Sequence, residues 1–167
     1  MDAICKSILG GWDVISVGID VAKEKSMVCM LRPYGEVVES PYEIRHTVED
    51  LSELCQRILL FDEEVRVVME ATGTYHLPVL STLHHAGIFV CVTNPLVMKK
   101  YATTALRKGK TDKLDSVRIA NYGIDNWFKM EAFHPADETY EELRLLGRQY
   151  AHYITIKVES KLTLSSI

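Results

Sequence analysis

The sequence predicts a mixed α/β fold, a five-stranded sheet flanked by helices and followed by a long C-terminal helix. Three observations carry this. Residues 14–20, 65–69 and 88–92 are short apolar runs rich in β-branched side chains, the mark of buried strands. Residues 25–31 and 36–44 follow the first run through short links, which makes an antiparallel meander. After the meander strands and helices alternate, so the fourth and fifth strands run parallel to the first.

Taken in order, residues 1–12 carry little pattern and read as a loose arm. Strand one is Val14-Ile-Ser-Val-Gly-Ile-Asp20, apolar until it closes on a carboxylate. Between strands two and three, Arg32-Pro33-Tyr34-Gly35 has proline placed for the second position of a turn and glycine for the fourth. Strand three is more polar, and Pro41 favours an edge position for it. Thr47 is a good N-cap with Asp50 three residues on, and Val48, Leu51, Leu54, Cys55, Ile58 and Leu59 keep helical spacing. Strand four ends in Glu70, and Ala71-Thr-Gly-Thr74 turns the chain into a helix carrying Leu77, Leu80, Leu83 and His84, with Gly87 at C′. Asn94-Pro95 supplies N-cap and N1 of the next helix. Lys110-Thr-Asp112-Lys-Leu-Asp115 opens another helix with two acids three apart, hence on one face. From Pro135 the character changes: residues 138–166 hold no proline and carry a stripe of Leu143, Leu146, Tyr150, Tyr153 and Leu164, interrupted at Lys157 and Ser160. Such a helix would pair with another.

The expected division is an arm at 1–12, a catalytic domain at 13–133 and the start of a helical segment at 134–167. No stop signal precedes Ile167, so the chain reads as ending mid-element, a fragment of something longer.

With 167 residues, 47% of them hydrophobic and 25% charged, the chain suits one α/β domain plus an appendage. The formal net charge of −4 excludes a wholly basic nucleic-acid binder. That average hides a patch of Lys99, Lys100, Arg107, Lys108, Lys110 and Lys113, with no acid before Asp112. Cys5, Cys29, Cys55 and Cys91 form no C-x-x-C pair and read as reduced core thiols of a cytoplasm rather than a zinc site. Residues 4–9 are too short and too charged for a signal peptide, and no run reaches the roughly 20 apolar residues that span a bilayer.

The layout puts the ends of strands one and four side by side at one sheet edge, so Asp20 and Glu70 would face one cleft. If Asp112 and Asp115 join them, the site is all carboxylate, which suits hard Mg²⁺, or Mn²⁺, better than Zn²⁺. Two carboxylates about 4 Å apart repel by roughly 4 kcal/mol at an effective dielectric near 20, so such a group calls for cations or protons. Singly, each acid has a plainer reading. Asp20 is as readily a solvated turn residue, Glu70 a strand terminator, and Asp112 and Asp115 dipole-favoured acids behind a Thr111 N-cap.

Four blocks change that balance. Gly18-Ile-Asp20-Val-Ala-Lys23, Glu70-Ala-Thr-Gly-Thr-Tyr75, Asn94-Pro95 and Lys110-Thr-Asp112-Lys-Leu-Asp115 together closely resemble the DEDD-type transposases of bacterial and archaeal insertion sequences. The resemblance covers about residues 14–125 and the helix beyond, with Ser116 a small departure where alanine is common. It implies a RuvC-like, RNase H-like domain whose acidic tetrad is Asp20, Glu70, Asp112 and Asp115, binding Mg²⁺ for DNA cleavage and strand exchange. It further implies DNA and a structured guide RNA as partners, oligomerisation through the C-terminal helix, a bacterial or archaeal cytoplasm and no membrane. A C-terminal transposase domain with a serine nucleophile belongs to the family but not to these residues, so the fragment is expected to be incomplete as an enzyme.

Nucleic-acid contacts are expected from Lys99, Lys100, Arg107, Lys108, Lys110 and Lys113, and from Lys23 three residues after Asp20. A solvated face is the alternative for each. Thr72, Gly73 and Thr74 are either backbone donors near the site or only a turn and N-cap, and Tyr75 either stacks on a base or packs. His84 and His85 read as helix residues. Competing functions are a standalone junction nuclease, an actin- or sugar-kinase-like phosphotransferase, and a non-catalytic assembly module. The phosphotransferase needs small glycine-rich loops at phosphate, which Val21-Ala22-Lys23 is not.

Overall fold

The structure is a computed structural model that describes residues 13–71, 73–104, 112–135 and 138–165. The arm at 1–12, Thr72, Thr111 and the basic residues Arg107, Lys108 and Lys110 lie outside the described residues. Two compact units divide at Phe133 and His134.

The first unit is built on a five-stranded sheet. Its strands are β1 (Val14–Val21), β2 (Lys25–Leu31), β3 (Val37–Arg45), β4 (Glu64–Glu70) and β5 (Val90–Thr93), in spatial order β3-β2-β1-β4-β5. β1–β2 and β2–β3 are antiparallel, whereas β1–β4 and β4–β5 are parallel, the mixed arrangement the short and long connections predict. The helices are α1 (Val48–Leu59), α2 (Leu77–His85), α3 (Pro95–Thr104) and α4 (Asp112–Asp125).

Alternation along the central strands separates two layers. Ile15, Val17, Ile19, Val67 and Met69 point to one face and pack with Leu51, Leu54 and Ile58 of α1 and Val79, Leu80 and Leu83 of α2. Val68, on the other face, joins Ile119 of α4, Met98 of α3, Trp127 and Met130, while Cys29 and Leu31 meet Ala120. Burying each such Val, Leu or Ile contributes about 1.5–3 kcal/mol, so the two layers together hold the sheet in place.

Local signals mostly act as the side chains require. Thr47 Oγ1 accepts from the Asp50 backbone N–H (3.2 Å), but the Asp50 carboxylate turns to the Arg45 N–H (2.9 Å) instead of closing a capping box. Asn94 Oδ1 accepts from the Leu96 N–H (2.8 Å) and caps α3, and Gly87 takes a φ of 74° at the end of α2. Between β2 and β3 it is Tyr34, exposed, that adopts a φ of 65°, with Gly35 at 81°. Arg66 is stacked between the Phe89 and Trp127 rings, 4.7 and 4.6 Å from their centroids, and its Nη1 donates to the Trp127 carbonyl (2.5 Å).

The second unit is α5 (Glu138–Ser165). Leu143, Leu146, Tyr150 and Tyr153 are exposed along it, and Ile154 and Val158 extend the same stripe at four-residue steps.

Candidate functional site

β1 and β4 lie side by side and parallel, with Gly18 opposite Val68 and Ile19 opposite Met69. Asp20 and Glu70 are the next residues on each strand, so they sit as neighbours on strands about 5 Å apart. Alternation puts both carboxylates on the face of Gly18 and Val68, the face that α4 covers. Both are half-buried.

Gly18 brings α4 to them. A Cβ at this position would lie 2.9 Å from the Cα of Ala120 and closer still to Ala120 N and Ser116 O, so the helix backbone rests directly on the strand. Gly123 repeats the device one turn on, where a Cβ would lie 2.9 Å from Val68 Cγ2 and nearer to Ser16 Oγ. Asp115 precedes Ser116, so this contact delivers it to the edge holding Asp20 and Glu70.

The electrostatics record that approach. The Glu70 carboxyl is pushed above its ordinary range, first by burial and then by the charge of Asp115. Asp112, exposed at the helix start, is felt on the opposite flank. There the Lys25 ammonium is held above its usual value mainly by Glu43, which it contacts at 2.7 Å, with Asp112 adding to the effect. Among the described residues, no three His, Cys, Asp or Glu side chains stand close enough to hold a metal ion as they are.

Arg118 went unnoticed in the sequence. Its Nη1 donates to Asp115 Oδ1 in an ion pair three residues apart on α4, a spacing that could have flagged it. Of the basic residues, Lys99 and Lys100 are exposed on α3, Lys113 is exposed between the two helix acids, and Lys23 is exposed in the turn after β1. Thr74 does not cap α2. His76 occupies that position, and the Leu77 N–H donates to the Thr74 carbonyl (3.2 Å) in the preceding turn. Tyr75 is 42% exposed. His85 Nδ1 bonds the Ser81 carbonyl oxygen (2.6 Å) and His84 meets Phe133 edge-on, so both remain helix residues.

A family model described as a DEDD transposase of the IS110 type matches residues 17–167. The chain belongs to that transposase family. Its fold is RuvC-like, in the RNase H class. Thermus thermophilus RuvC in complex with a Holliday junction substrate is 13% identical, with a TM-score of 0.50 over 72% of this chain and 99% of that one. A second Thermus thermophilus RuvC structure is 14% identical, with a TM-score of 0.50 over 71% and 99%. At such identity the likeness concerns the fold. No curated protein matches the chain. The chain is thus a transposase-family domain of RuvC-like fold, and no helix among the described residues is long and apolar enough to cross a membrane.

Proposed function

We propose that residues 13–133 form a catalytic domain that supports Mg²⁺-dependent cleavage and exchange of DNA strands during insertion-sequence transposition, guided by a structured RNA. The observation that carries this is the register of β1 and β4. It sets Asp20 beside Glu70 on the face where α4 brings in Asp115. The donor chemistry fits a hard divalent cation: every candidate ligand is a carboxylate, and burial and the charge of Asp115 make the ionised form of Glu70 costlier, a cost a bound cation would offset. Asp20, Glu70, Asp112 and Asp115 would hold the ion, with Mn²⁺ able to replace Mg²⁺. The reading rests on register and mutual influence, because no three-ligand cage stands ready among the described residues.

Bound there, the cation supplies charge neutralisation at the phosphate and activation of a nucleophile. The chain's own residues do the rest. Asp20 and Glu70, on rigid strand ends, fix where the reacting phosphate must lie. Lys99, Lys100 and Lys113, with Lys23 and with Arg107, Lys108 and Lys110 of the segment between α3 and α4, hold the flanking backbone of DNA or RNA. The apolar stripe of α5 covers itself against a second copy of the chain, which makes the working unit a homo-oligomer.

Melting with and without millimolar Mg²⁺ or Mn²⁺ tests the acidic site. Wild type should gain stability, and Asp20→Ala or Glu70→Ala should lose that gain. An unresponsive wild type would remove the metal from the proposal. Binding of DNA and RNA over a salt series tests the basic residues. Lys108→Ala and Lys110→Ala should each lower the salt slope by about one, and an unchanged slope takes that segment out of the interface.

A further inference from the structure

Arg118 lies on the same turn of α4 as Asp115, and its guanidinium donates to Oδ1 of that carboxylate. Both side chains are largely withdrawn from water, at 22% and 23% exposure, so the pair is screened far less than a surface ion pair. The backbone around Ser116 and Ala120 is seated on Gly18, which fixes where the backbone of Asp115 stands beside the ends of β1 and β4. Backbone packing therefore holds Asp115 near this edge, and a positive charge of the protein's own stands on its carboxylate.

We propose that Arg118 is a resident counter-ion and positioning residue for the acidic edge, partly replacing the charge of a metal at Asp115 and so setting how far the fold depends on that metal. The inference rests on the metal-binding reading above and goes beyond it. Two consequences follow from Coulomb's law. Without metal, the guanidinium offsets the repulsion that Asp115 exerts on its neighbours. With metal, it repels the incoming cation, so affinity is lower than the carboxylates alone would give. The engaged oxygen, Oδ1, also fixes the carboxylate's orientation. A bidentate-capable planar group does this better than an ammonium.

The test uses the full chain, with melting measured in metal-free buffer and again with Mn²⁺, and with Mn²⁺ binding followed by electron paramagnetic resonance. Arg118→Met should melt below wild type without metal, and its upward shift on adding Mn²⁺ should be at least about twice that of wild type. Its Mn²⁺ dissociation constant should fall severalfold. Arg118→Lys, which keeps the charge, should return both quantities most of the way to wild type. Arg118→Gln, which keeps a donor without the charge, should behave as Arg118→Met does and serves in its place if that variant does not fold. A purely structural role would lower the melting temperature equally with and without Mn²⁺. Equal shifts in wild type and in the neutral variants would therefore overturn the role of Arg118 and leave the metal site standing. No response to Mn²⁺ in any of these proteins would overturn the metal site, and this proposal with it.

Discussion

Gly18 has no side chain because α4 leaves no room for one. The nearest atoms to a Cβ there are backbone atoms of Ser116 and Ala120, which cannot rotate aside. Gly18→Ala should therefore lower stability by about 3 kcal/mol or more in urea unfolding, beyond the usual cost of an overpacked site. A loss under about 1 kcal/mol would mean that α4 can lift off the strand, and the approach of Asp115 to Glu70 would lose its mechanical basis. His46 carries a different prediction. It bonds Ser26 Oγ through Nε2 (2.8 Å), and burial holds its pKa below the ordinary value of 6.5. Above that value both folded and unfolded states are neutral, so the contribution of His46 is fully present. As the pH falls through it, the unfolded chain takes the proton first and stability is lost. Thermal melts from pH 7.5 down to pH 5 should decline more steeply for wild type than for His46→Asn.

At the scale of elements, the parallel pair β1–β4 and the helix α4 make the site, and the other pieces keep them in place. One such piece is the stretch Trp127–Lys129, a 3₁₀ turn joined to the sheet through Arg66. Arg66 is held by two aromatic rings, by the Trp127 carbonyl and by Glu64, whose Oε1 accepts from both Nε (2.9 Å) and Nη2 (2.7 Å). Arg66→Lys should not rescue what Arg66→Ala loses, because an ammonium cannot stack flat between two rings while donating in several directions. We expect both variants to lose about 1–2 kcal/mol and to shift tryptophan emission to the red as Trp127 becomes wetter. Emission unchanged from wild type would show that the core holds the turn without Arg66. The legibility of these elements was uneven. Runs of β-branched residues and the Thr47 and Asn94 caps announced themselves, since both are local effects. The Asp50 bond to the Arg45 N–H did not, because the end of β3 must first be placed beside α1.

At the scale of the whole molecule, the chain consists of a sheet-based unit with its own two-layered core and a long helix with an exposed apolar stripe. The first has what it needs to fold alone, and the second does not: a lone helix in water is marginal, and its apolar side chains lack cover. A chain ending at Phe133 should keep a cooperative melt close to that of the longer chain. A peptide spanning residues 138–165 should be weakly helical when dilute and gain helicity with concentration by circular dichroism. Concentration-independent helicity would argue against self-association through this stripe.

By itself the sequence determined the strands, their antiparallel and parallel connections, the helices and the four motif blocks, because each depends on periodicity or on residues close in the chain. Only the tertiary structure decided that α4 rests on Gly18 and that Asp115 weighs on Glu70. It also decided that Arg118 pairs with Asp115 and that no three acids stand close enough to hold a metal ion among the described residues. These facts join residues forty-five to about a hundred positions apart in the chain, or select one partner among several at helical spacing. The choice is made by the packing of a helix on a strand, and by a missing methyl group that lets the two backbones touch.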